Sequence, residues 1–259
     1  MPAEAVVKSV GRMFALLEYL DDIKRPASTM EISRALAIPQ SSTSALLRSL
    51  VMLGYCRQDA PSRTYAPTAR VTLLGSWLSP PLVENGALIR MLHELSDRTG
   101  EHILLAALNG LLVRYIYTIP ARQPGRPSIR TGTLRLLGRS GAGNLFLSTR
   151  PDSQIASLVR RVNASERNVV DRIDIRALMA EIAVIRTRGY AFTIDRLDPG
   201  VGGVNVLLPR FAQMQPMAVA ISSASDIITA HHERLFALVG DASRRHLGLE
   251  LPSIAPKLA

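Results

Sequence analysis

The stretch STMEISRALAIPQSSTSALLRSLVMLG, residues 28–54, decides the fold of the first part of the chain. Ser28 followed three residues later by Glu31 has the spacing of a capping box, in which each side chain accepts a hydrogen bond from the other residue's backbone N–H. This pattern predicts a short helix that runs to about Ala37. Pro39 then predicts a tight turn, and Gly54 predicts the end of a second helix. Two short helices joined by a tight turn are typical of a helix-turn-helix unit.

The second helix of this unit, from about Gln40 to Leu53, has an apolar face and a polar face. At 100° per residue the leucines share one face: Leu46, Leu47, Leu50 and Leu53. The other face carries Ser41, Ser44, Ala45, Arg48 and Met52. Small hydroxyls and one arginine, without any acid, suit a helix that enters the major groove of DNA, with Gln40, Ser41 and Ser42 at its N-terminal end. For this helix taken alone, an ordinary solvated face is the alternative.

The flanking segments extend the unit to a winged helix-turn-helix. Helical spacing predicts a first helix over Val6–Leu20, with an apolar face made of Val6, Val10, Met13, Phe14, Leu17 and Leu20. Tyr55–Gln58 and Thr64–Pro67 predict two short strands around a turn, and Arg63 lies at its tip. Five arginines stand against the single acid Asp59 in this region: Arg34, Arg48, Arg57, Arg63 and Arg70. We expect Arg63 to reach a neighbouring groove or the DNA backbone.

The Pro80-Pro81 pair predicts a boundary, because it removes two backbone donors and disfavours helix before it. Three parts follow: a DNA-binding domain over residues 1–77, a linker helix within 78–99 and a larger domain over 100–259. In the larger domain, Asn109-Gly110 predicts a hairpin between two apolar strands. Further elements are predicted at residues 143–147, 174–188, 204–208, 217–222 and 227–246. Strands between helices indicate an α+β fold.

Composition excludes several classes of protein. The chain has 259 residues, of which 47% are hydrophobic, a share too high for a disordered protein. The single cysteine, Cys56, excludes a disulfide framework and a zinc site built from cysteines. The first residues lack a secretion signal and no apolar stretch reaches the ~20 residues of a membrane helix, so we expect a cytoplasmic protein without membrane contact. A net charge of +10, with 28 arginines, favours a polyanionic partner such as double-stranded DNA.

Several short motifs together carry a family resemblance across nearly the whole chain. In the first domain they are Ser9-Val10-x-Arg12, residues 30–36, residues 38–42, residues 46–55 and Tyr65. In the larger domain they are residues 99–101, 140–143, 188–190, 200–201, 218–222 and 247–248. On these motifs the chain resembles the IclR-type transcriptional regulators.

The resemblance implies a homodimer or homotetramer that binds a palindromic operator and senses a small organic effector, such as a carboxylate or an aromatic acid. The effector would bind in a GAF-like C-terminal domain. By family position its pocket would be formed by Ser140, Gly141, Ala142, Thr193, Val201, Gly203, Ser222, Ser223 and Ser225. Arg130 lies in a stretch from residue 102 to 151 that contains arginines but no acid, so we expect it to favour an anionic effector.

The chain departs from the family pattern at four places. Ala45 stands where many members carry a basic residue, which shifts base recognition toward Gln40, Ser41, Ser44 and Arg48. Leu136-Leu137-Gly138 replaces the usual Pro-Leu-His, Gly143-Asn144 replaces Gly-Lys, and Thr193 replaces a frequent acid. These changes leave the regulator prediction standing and leave the identity of the effector open.

A ligand-sensing regulator has two functional alternatives. Gly138-Arg139-Ser140-Gly141-Ala142 approaches the G-x-S-x-G motif of serine hydrolases, with Ser140 as nucleophile, but the last glycine is missing. The five histidines offer no triad, and no cofactor, metal or catalytic residue is predicted. A DNA-binding protein whose C-terminal domain only oligomerises is the second alternative. For the regulator, we expect the linker helix over residues 82–99 to couple ligand binding to the placement of the DNA-binding domains.

Overall fold

The computed structural model describes residues 7–74, 86–123, 126, 129–165, 172–210 and 215–254. Contacts divide the chain into two compact units, Met1–Leu78 and Ser79–Ala259. The predicted Pro80-Pro81 boundary, residue 6 of the first helix and the predicted helix residues 82–85 lie outside the described residues.

The first unit contains the helices and strands of a winged helix-turn-helix. In chain order they are α1 (Lys8–Ile23), β1 (Ala27–Ser28), α2 (Thr29–Leu36), α3 (Gln40–Met52), β2 (Cys56–Asp59), β3 (Thr64–Pro67) and α4 (Ala69–Leu73). Strand β3 pairs antiparallel with both β1 and β2. The predicted hairpin is therefore confirmed, and the two-residue strand β1 and helix α4 were not predicted.

Local backbone chemistry explains how α2 and α3 begin and end. Ser28 Oγ accepts a hydrogen bond from the Glu31 backbone N–H at 3.2 Å, as the capping box predicts. The second predicted bond of the capping box, from the Ser28 backbone N–H to the Glu31 carboxylate, is wrong, because this carboxylate accepts hydrogen bonds from Arg25 and Tyr19 instead. Gly54 follows α3 with φ at +78°, a left-handed conformation that glycine adopts without strain.

The core of the first unit corrects two predicted helix faces. Leu16 and Leu20 of α1 are buried against α2 and α3, whereas the predicted apolar-face residues Val10 and Phe14 are 45% and 54% exposed. In α3, Leu47 and Leu50 are buried, but Leu53 is 56% exposed. Leu53 differs because it caps the end of the helix, where the chain leaves the helical spiral on which the prediction rests.

The second unit is a six-stranded antiparallel sheet with helices on both faces. Its elements are α5 (Ala87–Thr99), β4 (His102–Asn109), β5 (Leu112–Ile119), β6 (Leu134–Leu136), α6 (Gly141–Ser148), α7 (Asp152–Ser165), α8 (Ile175–Arg188), β7 (Ala191–Ile194), β8 (Val201–Leu207), β9 (Met217–Ala224) and α9 (Ser225–Leu247). The strand order is β6-β5-β4-β9-β8-β7. The predicted elements are present, and α7, β6 and β7 are additional to them.

Alternate residues of β4, β8 and β9 face two separate hydrophobic cores, as the two-residue period of a strand requires. Val219 and Ile221 of β9 pack with α5 and α9 in one core, while Ala218 and Ala220 pack with α6, α7 and α8 in the other. Helix α5, the described part of the predicted linker helix, buries Met91, Leu92 and Leu95 in the first of these cores. It is thus anchored in the second unit by an apolar face.

Candidate DNA-binding surface and ligand cavity

Helix α3 presents the polar face that its sequence predicts. Gln40, Ser41 and Arg48 are exposed, and Ser42 and Ser44 are half-buried. The Arg48 guanidinium donates a hydrogen bond to Ser44 Oγ at 2.9 Å, one turn earlier on the helix. This bond is exposed and joins two of the predicted DNA-contacting side chains.

The turn between β2 and β3 presents Arg63 at the predicted hairpin tip. Arg63 is exposed and has a left-handed backbone, with φ at +52°. Asp59 is the one acid of this region. Its carboxylate accepts hydrogen bonds from the Ser62 hydroxyl and backbone N–H within the same turn. These bonds lower the pKa of the Asp59 carboxyl below its usual value. Asp59 therefore shapes the turn that carries Arg63.

A cavity of about 60 Å³ lies in the second unit, between the sheet face that meets α6 and the loop from β7 to β8. One water needs about 10–15 Å³ of such space, so the cavity has room for roughly four to six water molecules. It is lined by Leu104, Tyr115, Ile129, Ser140, Gly141, Thr193, Arg196, Leu197, Asp198, Val201, Gly202, Gly203, Asn205, Ala220, Ile221 and Ser222. Most of these side chains are apolar or small and neutral.

The structure brings six of the predicted effector residues together around this cavity: Ser140, Gly141, Thr193, Val201, Gly203 and Ser222. The other four lie outside it. Ala142 is fully buried in the core beneath, and Ser223 faces the opposite side of the sheet because it is one residue out of phase with Ser222. The Ser225 hydroxyl donates to the Asp195 carboxylate at 2.7 Å, and Arg130 is exposed beside the lining residue Ile129.

Sequence reasoning missed Asn205, Tyr115 and Arg196. Asn205 is 4% exposed and lies on β8 opposite Ala191 and Ala220, on the cavity face of the sheet. Burial raises the pKa of Tyr115, which keeps its phenol neutral, although the charge of nearby Arg135 opposes this shift. The exposed Arg196 guanidinium pairs with the Glu181 carboxylate, so its charge is largely compensated. In the sequence, Asn205 could have been noticed as the single amide side chain in an otherwise apolar strand.

The N-terminus of α6 forms one end of the cavity. Ser140 caps this helix, because its Oγ accepts a hydrogen bond from the Gly143 backbone N–H at 3.1 Å. The N–H groups of Gly141 and Ala142 then stand in the first turn, where a helix favours negative charge. Ser140 thus acts as a helix cap here, and it lacks the activated geometry of a nucleophile with a bonded base.

The described residues contain neither a metal-binding cluster nor a membrane-spanning helix. Among them, no cluster of three or more histidine, cysteine, aspartate or glutamate side chains is arranged to hold a metal ion. No helix in the same ranges has both the length and the apolar character needed to cross a bilayer.

Comparison with known proteins identifies the family. Residues 9–60 match the IclR helix-turn-helix domain, and residues 86–245 match the C-terminal domain of bacterial IclR transcriptional regulators. The chain belongs to the IclR family. The IclR-family regulator KdgR of Escherichia coli (strain K12) is 25% identical over 249 residues, which cover 92% of this chain and 91% of that protein. KdgR of Dickeya chrysanthemi is also 25% identical, over 75% of this chain and 64% of that protein's length.

The fold agrees with solved IclR structures. The crystal structure of IclR from Thermotoga maritima has a TM-score of 0.60 at 19% identity, covering 93% of this chain and 99% of that chain. The α+β class and the N-terminal helix-turn-helix are therefore confirmed. The matching families and relatives are DNA-binding transcriptional regulators rather than enzymes, which sets the serine hydrolase alternative aside.

Proposed function

We propose that this IclR-family regulator binds a palindromic DNA operator as a homodimer or homotetramer, and that a small organic acid in the α6 cavity modulates this binding. The DNA contacts would come from α3 and the β2–β3 turn, through Gln40, Ser41, Ser42, Ser44, Arg48 and Arg63. The observation that carries the proposal is the exposed face of α3, which combines hydroxyls, an amide and a guanidinium without an acid. Such a face can approach base edges closely without repelling the phosphates.

The arrangement of Arg48 and Ser44 supports a role in reading DNA. Their hydrogen bond directs the guanidinium along the exposed surface of α3, and a planar guanidinium can donate two parallel hydrogen bonds to guanine. The amides at the N-terminus of α3 favour a phosphate, and Gln40, Ser41 and Ser42 add neutral donors beside them. Arg63 stands on a separate element and suits a contact to the DNA backbone.

An exposed apolar stripe on α1 supports pairing of two chains. Val7, Val10 and Phe14 are 65%, 45% and 54% exposed and share one face of the helix, since they are spaced by three and four residues. Pairing two α1 helices through this stripe would remove it from water, and a pair of chains carries two copies of α3, one for each half of a palindrome. We expect Phe14→Glu to lower the dimer fraction measured by light scattering and Lys8→Gln, an exposed change on a different side of the same helix, to leave it unaltered.

The cavity supports the effector role. The Gly141 amide at the start of α6 can donate a hydrogen bond to a carboxylate, and the surrounding walls are mostly apolar. Arg196 is paired with Glu181 and the lining also contains Asp198, so the start of α6 is the group among the lining residues that favours an anion. A protein whose second unit only oligomerises would not need this arrangement, and it would show no ligand effect on operator binding.

The decisive experiment compares Arg48→Ala with Arg176→Ala, an exposed arginine of the second unit, on DNA selected by the wild type from a random library. If Arg48 reads a base, its removal costs about 1–3 kcal/mol and relaxes preference at one position. If it contacts phosphate, the loss is the same on all sequences and the salt slope falls by about 1. Wild-type affinity in Arg48→Ala would remove this face of α3 from the DNA contact.

A second measurement addresses the effector. Operator binding of the full chain is titrated by fluorescence anisotropy with and without short carboxylic acids, and direct binding of each acid is followed by calorimetry. The proposal requires an acid that binds saturably and changes operator affinity. Binding without any change in operator affinity would favour the oligomerising alternative.

A further inference from the structure

The middle of the exposed face of α3 is apolar. Thr43, Leu47 and Leu50 are at most 2% exposed and define the side of the helix that packs into the first unit. At 100° per residue, Ala45 and Met52 lie almost opposite this side, within about 20° of each other around the helix axis. Ala45 is exposed and lies in the second turn of α3, whereas Met52 is its last residue. A methyl group therefore occupies the centre of the surface that would enter the major groove.

The two polar side chains beside this methyl group are held by hydrogen bonds within the helix. Ser49 Oγ donates to the Ala45 carbonyl oxygen at 3.0 Å, as serine side chains in helices often do one turn back. On the other side, the Arg48 guanidinium donates to Ser44 Oγ at 2.9 Å. Ser44 lies about 100° from Ala45 around the helix axis, so this bond draws the guanidinium away from the Ala45 methyl. The methyl group therefore stays uncovered.

We propose, on the basis of the operator binding inferred above, that Ala45 recognises a thymine through its C5-methyl group in the major groove. Each base pair presents hydrogen-bonding groups at its major-groove edge, and thymine alone adds a methyl group. A donor or acceptor pressed against the Ala45 methyl would lose its water without gaining a partner, whereas two methyl groups remove each other from water. Each half of the operator therefore contains a thymine opposite Ala45.

Duplex DNA is the occupant that the surroundings of Ala45 favour. Helix α3 contains no acidic side chain, and Arg48 stands on the flank of its exposed face. The first unit also has exposed arginines on α2 and β2, Arg34 and Arg57. Guanidinium groups suit contacts to phosphates, and the small Ala45 side chain lets the helix backbone approach a base edge closely. An apolar centre with a cationic flank fits a base edge that lies between two phosphate backbones.

The test uses an operator that the full-length protein selects from a random library. Its thymines are replaced one at a time by uracil, which lacks only the C5-methyl group, and affinities are measured by fluorescence anisotropy. We expect at least one thymine in each half-site at which uracil weakens binding about fourfold, the equivalent of about 0.8 kcal/mol for one buried methyl group. With cytosine or 5-methylcytosine at that position, the methylated base should bind about fourfold more tightly.

Two variants assign the methyl contact to Ala45. Ala45→Gly removes the methyl group of the protein and should reduce the thymine-to-uracil affinity ratio at that position to below about twofold. The ratio compares two DNAs on one protein, so a lower folded fraction cancels. Ser49→Gly is the matched control, because it places glycine on the same exposed face one turn later and keeps the Ala45 methyl. It should keep the fourfold ratio.

The outcomes distinguish thymine recognition from operator binding. If uracil has no effect at any thymine, or if Ala45→Gly has the wild-type ratio, the thymine contact is overturned while operator binding stands. Equal loss of the ratio in Ser49→Gly would overturn its assignment to the Ala45 methyl, since weakening of α3 would then suffice. Failure of the protein to select any preferred sequence would overturn the proposed operator binding and the thymine contact with it.

Discussion

Replacing Gly141 by alanine tests whether the close approach of Asn205 to α6 is as the structure describes. The added methyl would lie 2.4 Å from Asn205 Nδ2, about 1 Å inside ordinary contact, so the buried amide must turn away. Overpacking of this kind costs about 1–3 kcal/mol. For a unit of this size 1 kcal/mol shifts the melting temperature by about 2–4 °C, so we expect Gly141→Ala to melt about 6 °C lower than the wild type.

A double-mutant cycle makes this prediction specific. Asn205→Ala removes the obstructing amide without breaking a hydrogen bond within the described residues, so the Gly141→Ala, Asn205→Ala variant should recover at least about 1 kcal/mol. Gly143→Ala is the matched control, because its added methyl would meet the backbone carbonyl oxygen of Leu136 at 3.1 Å as well as Ser140 Oγ at 2.9 Å. Asn205→Ala should not rescue it. Melting followed by calorimetry gives all the values, and additive effects of Gly141→Ala and Asn205→Ala would refute the steric account.

Two further predictions concern stability. Ser28→Ala removes the side-chain cap of α2 and should lower the free energy of unfolding in urea by about 1 kcal/mol. Ser28→Asp keeps an acceptor and should retain most of the wild-type stability. Equal stability of all three proteins would contradict the capping role. Burial acts to raise the pKa of Glu94, but hydrogen bonds from His246, Arg98 and Arg245 outweigh it and hold the pKa below its usual value. The ionised Glu94 therefore stabilises the fold at neutral pH and loses this contribution as the pH falls through its depressed pKa. Glu94→Gln should be less stable than the wild type by up to about 1 kcal/mol at pH 7, and the two should become equally stable once the pH lies below that depressed pKa. A constant difference across that range, measured by melting, would show that the carboxylate charge is not the cause.

Elements that depend on local chemistry could be predicted from the sequence. The Ser28 cap, the Gly54 stop and the Asn109-Gly110 hairpin each act within a few residues, and the structure has all three. The face of α1 that is buried could not be predicted equally well. Apolar residues occur on two sides of this helix, and only packing against α2 and α3 decides that Leu16 is buried while Phe14 stays exposed.

The cavity at the start of α6 shows why site residues are harder to predict than the fold. Ser222 and Ser223 are indistinguishable as neighbouring serines in the sequence, but a strand turns successive side chains to opposite faces, and of the two only Ser222 lines the cavity. Asn205 joins it there because β8 and β9 pair with Asn205 opposite Ala220 and with Gly203 opposite Ser222. A shift of this register by one residue would move Asn205 to the apolar core under α9, where its amide would be costly. The same asparagine that completes the cavity therefore also favours the register that forms it.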